Sequence, residues 1–329
     1  MALLSSGAHD AATGWAVRTE SGWDTEHCFA GPSIDEPIFD LASLTKPMTA
    51  VAFACAGIDR KTRLAELVPE ATGTASADAT LELLLSHRAG LEPHQILGEI
   101  EVIANARRPD AQGPYPADGF PPIYSDLGYI LAGVALARAT QSADAGEAIE
   151  RFVSFHELGT ARLLTARKID FERRVRKTEG QLRGIVHDEN ARALTGIGGS
   201  GHAGMFGTAP AVITFGCAVL DSLKKRGGPF GDTDLGWLVA ARPGGSLRAG
   251  FDGKSAPGSE SSAGTVCGPN TFGHLGFTGT SLWIDPDAEA VTVLLTNRVH
   301  PTRDNQKIRT ARPKVHDALF SIAAGRRQA

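Results

Sequence analysis

Long hydrophobic runs, clustered cysteines and an excess of basic charge are all missing from this chain. The longest apolar stretches in its 329 residues are far shorter than a membrane span. Its four cysteines lie far apart with no C-x-x-C pair, which predicts free, buried thiols instead of disulfides. A net charge of −4 excludes the electrostatic pattern of a nucleic-acid-binding protein. We therefore expect neither a membrane nor a nucleic acid as a partner.

Targeting and cofactor signals are also scarce. Residues 1–6 have no basic region leading into an apolar segment, so no secretory signal is visible. This predicts a cytoplasmic protein, or a periplasmic one where a leader has been removed. Residues 196–201 match G-x-G-x-x-G, but the polar residues before them do not read as a buried strand. We expect no dinucleotide site and no other cofactor.

Strand patterns occupy both ends of the chain, and helical patterns fill its middle. The strand patterns cover residues 14–19, 23–29, 275–285 and 290–297. The helical patterns cover residues 43–57, 80–86, 126–139, 144–155 and 209–225, with a closing helix at 313–324. We predict an α+β fold in which an antiparallel sheet is flanked by helices. A discontinuous sheet subdomain would comprise 1–60 and 210–329, and a mainly helical subdomain 61–209.

Ser43 and Lys46 are the first candidates for chemistry. They lie three residues apart at the start of a predicted helix, which places both side chains on one helical face. A nearby ammonium and the helix N-terminus both lower the cost of deprotonating a serine hydroxyl. The same spacing recurs at Ser222 and Lys225, but that pair ends a predicted helix and is followed by Gly227. We therefore interpret Ser222 as part of a solvated helix end.

A serine nucleophile also needs a proton shuttle and an oxyanion hole. Tyr124 follows a proline-rich loop and immediately precedes a helix, and a phenol held near Lys46 as a partial phenolate would suit the shuttle. Asp126 would serve either at this site or as the helix N-cap. His274 and Gly276 open a late strand, whose free backbone N–H groups would supply an oxyanion donor.

These three motifs occur in the order Ser-x-x-Lys, Tyr-x-Asp and His-x-Gly. Together they resemble the β-lactamase-related serine hydrolases, which include class C β-lactamases, penicillin-binding proteins, D-amino-acid peptidases and β-lactamase-like esterases. Residues 85–91, L-S-H-R-A-G-L, and residues 202–208, H-A-G-M-F-G-T, are similar to further motifs of that family. The resemblance extends over roughly residues 10–300 and implies a β-lactamase/transpeptidase-like fold.

The resemblance also implies roles for individual residues. Ser43 would be the acylated nucleophile, Lys46 would tune its proton, and Tyr124 would act as general base and then acid. The backbone N–H groups of Ser43 and Phe277 would form the oxyanion hole. Asp126 would bind Lys46 and a substrate amide.

Two positions depart from the family pattern. Asp126 stands where many relatives have Asn, and His274 stands where β-lactamases usually have Lys. The first change removes an amide donor, and the second removes a permanent cation that would bind a substrate carboxylate. We therefore expect a less positive pocket and favour an esterase or a peptidase over an efficient β-lactamase or a carboxypeptidase, with weak β-lactamase activity still compatible.

Three further polar residues have alternative interpretations. His202 either lines the cleft, where with His274 and Gly276 it would bind substrate, or has a structural role. Arg298 and His300 either are exposed polar residues at a strand end or bind an acidic substrate. All these assignments concern a small-molecule or peptide substrate, and the sequence does not indicate an oligomeric state.

Two other classes of function are compatible with the sequence. A catalytically silent relative would keep the fold and bind peptidoglycan fragments or a partner protein, although the intact Ser43, Lys46 and Tyr124 favour an enzyme. A metal-dependent hydrolase would use His187, Asp188 and His202. No H-E-x-x-H spacing supports that metal site, so we predict none.

Overall fold

Strands from both ends of the chain form one antiparallel sheet. The computed structural model describes residues 6–31, 35–94, 99–154, 163–169, 174–256 and 258–328. Its strands are β1 (Ala11–Thr19), β2 (Gly22–Ala30), β3 (Phe39–Asp40), β4 (Leu163–Thr165), β5 (Met205–Gly207), β6 (Asp252–Gly253), β7 (Phe272–Leu275), β8 (Ser281–Asp285) and β9 (Ala290–Thr296). The main sheet has the order β2-β1-β9-β8-β7-β6. The predicted sheet of terminal strands is therefore confirmed.

Helices lie between these strands and cover both faces of the sheet. They are α1 (Thr45–Cys55), α2 (Leu64–Leu67), α3 (Leu81–Leu85), α4 (Ile100–Asn105), α5 (Asp126–Ala139), α6 (Ala145–Val153), α7 (Glu189–Thr195), α8 (Ala209–Leu223), α9 (Gly236–Val239) and α10 (Ile308–Gln328). Helices α8 and α10 both contact β1 and β9. None of the helices that the structure describes has the length and apolar character needed to span a bilayer.

Alternation along β1 assigns its side chains to two separate cores. Trp15 and Val17 pack with residues of α10, whereas Ala12 and Ala16 pack with residues of α8. Successive residues of a strand point to opposite faces, so a strand that is covered on both faces is apolar at nearly every position. This burial explains why β1 reads as an almost continuous apolar run.

The helical middle of the chain packs around α5. Helix α5 is apolar all round, and nearly all of its residues are buried, as expected for a helix enclosed by others. Its N-cap is Ser125, whose Oγ accepts a hydrogen bond from the Gly128 N–H at 3.4 Å. Asp126 is therefore not the cap, and its carboxylate is available to the site. Helix α6 is capped in the same way by Asp144, whose Oδ1 accepts from the Glu147 N–H at 3.0 Å.

Several predicted boundaries were wrong for local reasons. The first helix begins at Thr45, because residues 42–44 form a 3₁₀ turn. The segment 275–285 is split, because residues 276–280 form a turn that is closed by a bond from the Gly276 N–H to the Thr280 carbonyl. The last helix begins at Ile308 and contains Pro313 in its interior.

Of the four cysteines, all free, Cys28 is exposed, whereas Cys217 and Cys267 are buried. The subdomain boundaries at 60 and 210 stay a prediction.

A small second sheet, which the sequence did not predict, joins the nucleophile region to the glycine-rich segment. Its order is β3-β5-β4, and the Leu41 N–H donates to the Met205 carbonyl at 2.9 Å. Close packing against α5 fixes this segment, because a Cβ on Gly201 would lie 2.1 Å from the Tyr129 carbonyl oxygen. A glycine at position 201 therefore lets the chain pass directly beneath the site.

His316 is a buried titratable group between α10 and the sheet. Its Nε2 lies 2.7 Å from the Ser281 Oγ, and its Nδ1 lies 2.9 Å from the Thr292 Oγ1. Burial, and secondly the charge of Arg312, lower the pKa of His316 from 6.5 to about 3. The imidazole is therefore neutral in the folded protein at physiological pH.

Acid is expected to weaken the fold through His316. Below about pH 6.5 the unfolded imidazole binds a proton that the folded one does not, so stability is lost at about 1.4 kcal/mol per pH unit. His316→Gln removes this titration while its amide keeps polar atoms near both hydroxyls. Urea unfolding should show the stability of the wild type, relative to this variant, falling by ~2 kcal/mol between pH 6.5 and 5. A difference that is independent of pH would contradict this assignment.

Candidate active site

The three sequence motifs meet at one cleft. Ser43 precedes α1, Tyr124 and Asp126 lie at the start of α5, and Gly276 follows β7. All four line a cavity of about 530 Å³. The edge strand β6 pairs with Phe272 and Gly273 of β7, whereas Leu275 at the other end of β7 lines the cleft. The structure thus brings together residues that are far apart in sequence.

Ser43 lies in a tightly held turn. The Ala42 N–H donates to the Asp40 Oδ1 at 2.8 Å, and the Thr45 Oγ1 donates to the Ala42 carbonyl at 2.7 Å. The second oxygen of Asp40 accepts from the His187 N–H at 2.7 Å. Asp40 therefore links the serine turn to the loop on the far side of the small sheet and fixes the direction of the Ser43 side chain.

Lys46 is fully buried beneath the serine. Its Nζ donates to the Ser43 Oγ at 3.0 Å, to the Asp126 Oδ1 at 2.7 Å and to the His202 carbonyl at 3.3 Å. Burial alone would lower the pKa of Lys46, but the Asp126 carboxylate outweighs it and raises that pKa above its usual value. Conversely, burial opposes the charge of Asp126, yet Lys46 holds the pKa of that carboxyl below its usual value. The two side chains form an ion pair.

Tyr124 is a neutral phenol in this environment. The side chain as a whole is 36% exposed, but its hydroxyl lies among protein atoms. Burial of the hydroxyl raises its pKa above the usual value, the charge of Lys46 opposes that shift, and the Asp126 carboxylate adds to it. The Lys46 Nζ lies 4.8 Å from the centroid of its ring. The direction of this pKa shift argues against the expected partial phenolate. The negative charge that neutralises Lys46 belongs to Asp126, so Tyr124 keeps its proton.

His87 holds the tyrosine in place, a role that the sequence did not predict. Its Nδ1 accepts from the Ser125 N–H at 3.0 Å, and its carbonyl accepts from the Ile123 N–H at 3.3 Å. The imidazole also stacks on the Tyr124 ring with a centroid distance of 4.7 Å. Burial lowers the pKa of His87 to about 3, so the ring is neutral. The L-S-H-R-A-G-L motif was the only signal that marked this residue.

The His274 ring lies 5.9 Å from the Tyr124 ring but does not line the described cleft, and it is also neutral. Its Nδ1 bonds the Leu275 carbonyl at 2.7 Å and so carries the proton, which leaves Nε2 as an acceptor. Burial, and secondly the charge of Lys46, lower the pKa of His274 to about 3. His274 therefore places no positive charge at this position.

Phe277 borders the same cleft at the predicted oxyanion position. No acceptor for its backbone N–H lies among the described residues. Its ring is 49% exposed and stacks on His187, and the Arg298 guanidinium lies 4.5 Å from the ring centroid on one face. The pairing of the Ser43 and Phe277 N–H groups as an oxyanion hole stays a prediction.

His202 reaches the site through its backbone and not through its ring. The ring is buried, with Nε2 2.8 Å from the Asp188 Oδ1 and Nδ1 3.1 Å from the Ser200 Oγ. The His202 side chain does not line the described cleft, whereas the His202 backbone carbonyl accepts a hydrogen bond from Lys46. His187 pairs instead with Glu179 at 3.3 Å, and no group of three metal-ligating side chains occurs within the described ranges. The structure therefore gives the alternative metal site no support.

Four arginines line the cleft, and three of them, Arg298, Arg309 and Arg312, have no carboxylate within ion-pair distance among the described residues. Arg298 and Arg312 are only 5% and 8% exposed, and Arg309 is exposed. Arg298 is thus not the exposed strand-end residue that one interpretation expected, while His300 bonds the Thr178 carbonyl and does not line the described cleft. The substitution at His274 removes one cation, but the pocket as a whole keeps a strong positive region.

Comparisons with known proteins agree with this architecture. A family model described as Beta-lactamase matches residues 12–316. A protein of Escherichia coli (strain K12) that is named as a D-alanyl-D-alanine carboxypeptidase is 29% identical over 214 residues, covering 56% of this chain and 47% of that protein. The chain spans about half the length of the curated relatives it matches.

Solved structures show the same fold. A beta-lactamase from Mycobacterium bovis has a TM-score of 0.63 at 20% identity, covering 98% of this chain and 100% of that one. The octameric penicillin-binding protein homologue from Pyrococcus abyssi has a TM-score of 0.67 at 15% identity, covering 98% and 74%. The predicted β-lactamase/transpeptidase-like fold is therefore confirmed. Because the family model covers nearly the whole chain, this protein belongs to the beta-lactamase family.

Proposed function

We propose that this protein is a serine hydrolase that cleaves an amide or ester through an acyl-enzyme on Ser43. The observation that carries the proposal is the buried Lys46 ammonium, which donates to the Ser43 Oγ at 3.0 Å while Asp126 holds its charge at 2.7 Å. A fixed cation beside the hydroxyl stabilises the negative charge that develops on oxygen during attack. A lysine with only a structural role would not need to bond a serine that lines a cleft.

The protonation states define how the proton moves. The Tyr124 hydroxyl interacts with both Lys46 and Ser43. As the Ser43 oxygen bonds the substrate carbonyl carbon, its proton passes to the Tyr124 oxygen, and the phenol proton passes to the leaving nitrogen or oxygen. The bond from carbonyl carbon to leaving group then breaks. Lys46 stays charged throughout, so the relay needs no free base in the resting enzyme.

Hydrolysis of the acyl-enzyme ester on Ser43 reverses this proton relay. A water oxygen bonds the acyl carbon, one water proton passes through Tyr124, and the phenol proton returns to the Ser43 oxygen as the acyl bond breaks. The product is a carboxylic acid, and the enzyme regains its starting state. The Phe277 N–H, which has no acceptor among the described residues, would donate to the oxyanion in both halves.

The arginines favour a substrate that carries a carboxylate. Guanidinium groups bind carboxylates in a planar, two-bond geometry, and three of the four that line the cleft have no carboxylate partner among the described residues. They supply the positive charge that the neutral His274 does not. Within the family, this favours a peptidase or esterase with an acidic substrate. The name of the Escherichia coli relative, a carboxypeptidase, agrees with that class.

The proposal is tested by rapid mixing with a short-chain nitrophenyl ester. An acyl-enzyme pathway with slower deacylation should release close to one equivalent of nitrophenol per protein in a burst before the steady state. Protein quenched with acid during that phase should gain the mass of one acyl group. Hydrolysis with neither a burst nor an adduct would indicate direct attack by water, and no turnover and no adduct would favour a silent binding protein.

A further inference from the structure

The cleft has one acidic wall and one basic wall. The acidic wall contains the three carboxylates that line the cleft, which belong to Asp126, Asp188 and Glu189. Lys46 pairs with Asp126, and Arg303 pairs with Glu189. The basic wall contains Arg298, Arg309 and Arg312, and no carboxylate lies within ion-pair distance of them among the described residues. Ser43 lines the same cleft.

Asp126 offers one carboxylate oxygen to the cleft. Its Oδ1 accepts from Lys46 at 2.7 Å, but no described donor bonds its Oδ2, and the exposed His94 Nδ1 lies 3.8 Å away. An ionised carboxylate can only accept hydrogen bonds, whereas an amide at this position would also donate one. A substrate group that carries N–H donors fits this oxygen, and a carbonyl group would be repelled by it.

The basic wall is built to receive an anion. Arg298 donates to the carbonyl oxygens of Phe277, Arg303 and Asn305, and Arg312 donates through one nitrogen to the carbonyls of Gly276 and Thr280. The Nε of Arg312 is buried with no partner. Burial, and secondly Arg298 and Arg309, lower the pKa of Arg312 to about 10. Two nearly buried guanidiniums without a carboxylate leave a charge that a substrate carboxylate would neutralise.

The two walls reach the nucleophile through different elements of the fold. Asp126 is connected to Ser43 through Lys46, on the side of α5. Arg298 and Arg312 contact the backbone of Phe277 and Gly276, on the side of β7. A substrate whose carbonyl reaches Ser43 therefore has a carboxylate from α5 and guanidiniums beside β7 within the same cleft.

We propose that the substrate is a short zwitterionic peptide, most simply a dipeptide with free amino and carboxyl ends. In such a molecule the ammonium lies on the acyl side of the scissile amide and the carboxylate on the leaving side, and an extended dipeptide is about 7 Å long. The ammonium would bind Asp126 and the carboxylate would bind the three arginines. This inference rests on the proposed acyl-enzyme and adds the substrate class to it.

The reaction balances with water as the only other reactant. The Ser43 oxygen displaces the second amino acid, which leaves as a free amine with the proton relayed through Tyr124. Water then releases the first amino acid as a carboxylic acid and returns a proton to Ser43. One peptide and one water give two amino acids, with no change in oxidation state.

Four forms of alanyl-alanine test the two charges separately. They are the free dipeptide, its N-acetyl form, its C-terminal amide and the doubly blocked form, each made as the D,D and the L,L isomer. We expect the free dipeptide to have the highest kcat/KM, with at least about a tenfold loss for blocking either end. Equal or faster cleavage of the N-acetyl form would overturn the role of Asp126. No cleavage of any form by protein that forms the nitrophenyl-ester adduct would overturn the substrate class.

Variants then assign each preference to a wall. Asp126→Asn should lower the ratio of kcat/KM between the free and the N-acetyl dipeptide at least about tenfold, while the preference for a free carboxylate stays unchanged. Arg309→Gln should lower the preference for a free carboxylate at least about tenfold, while the ratio of kcat/KM between the free and the N-acetyl dipeptide stays unchanged. Lys314→Gln is the matched control, because Lys314 is an exposed cation on the same helix α10 but does not line the described cleft. A loss of rate that leaves both ratios unchanged would contradict the assignment.

Failure of the two proposals would look different. If no acyl adduct forms with the ester, the Ser43 mechanism itself is wrong. If the adduct forms but neither charge of the peptide affects kcat/KM, the mechanism stands and only the zwitterionic substrate is wrong. The ester is uncharged, so its adduct does not depend on either wall.

Discussion

Replacing Ser43 with Ala is expected to lower kcat/KM for a short-chain nitrophenyl ester at least about 10⁴-fold and to abolish the acyl adduct. The Ser43 oxygen is the atom that forms the acyl bond. Among the described residues, the one other hydroxyl that interacts with Lys46 is that of Tyr124. The fold should be unaffected, because Ser43 is only partly buried and alanine fits its turn. Equal thermal unfolding of the two proteins would confirm that the loss is chemical.

The chain supplies its own control for this substitution. Ser222 has the same spacing to a lysine, Lys225, but lies near the end of α8 with its Oγ donating to the Thr233 carbonyl at 2.9 Å. Ser222→Ala should cost about 1 kcal/mol of stability through the lost hydrogen bond and leave kcat/KM within about twofold. Comparable losses of activity in both variants would contradict the assignment of Ser43 as the nucleophile.

Replacing Lys46 with Met is expected to lower kcat/KM at least about 10³-fold and also to destabilise the protein. The ammonium is fully buried and bonds Ser43, Asp126 and the His202 carbonyl. Its removal takes away the charge that stabilises attack and leaves the Asp126 carboxylate unpaired. Breaking a buried ion pair on one side costs about 3–5 kcal/mol, and we expect the lower end, because the Asp126 side chain is 21% exposed.

A double variant separates these two effects of Lys46. Combining Lys46→Met with Asp126→Asn removes both charges, so much of the lost stability should return in urea unfolding. Activity should not return, because the ammonium beside Ser43 is still missing. Recovery of kcat/KM together with stability would mean that Lys46 has only a structural role, which would contradict the proposed mechanism.

The sequence predicted the fold and the central side chains because their signals are local. A serine and a lysine three residues apart at a helix start must share one face, and apolar strand patterns at both ends of the chain favour a sheet that joins them. The structure accordingly brings Ser43, Lys46, Tyr124 and Asp126 together. These relations need no knowledge of how distant segments pack.

The protonation states could not be predicted from the sequence. Whether Tyr124 is a phenol or a phenolate depends on the balance among its own burial, the charge of Lys46 and the charge of Asp126. That balance is set by distances between side chains from α1 and α5, which are far apart in the chain. A tyrosine near a lysine suggests a phenolate only when no carboxylate neutralises the lysine first.

Two of the three arginines in the basic wall were missed for a similar reason, whereas Arg298 had been considered as a residue that binds an acidic substrate. Arg309 and Arg312 belong to a helix start that reads as an ordinary charged surface, and no local pattern shows which face meets the sheet. Packing of α10 on β1 and β9 directs Arg312 toward Gly276, close to the position where His274 replaces the lysine that is usual in β-lactamases. A departure from a family motif can therefore be offset by residues that lie outside every motif.

Locating the acyl group on the chain tests the central claim most directly. Protein quenched with acid during turnover of a short-chain ester would be digested, and the mass of each peptide would be measured. The account predicts one acyl group, carried by Ser43 in the peptide that contains residues 43–46. An acyl group on another residue, or hydrolysis without any acylated peptide during a burst, would contradict the account.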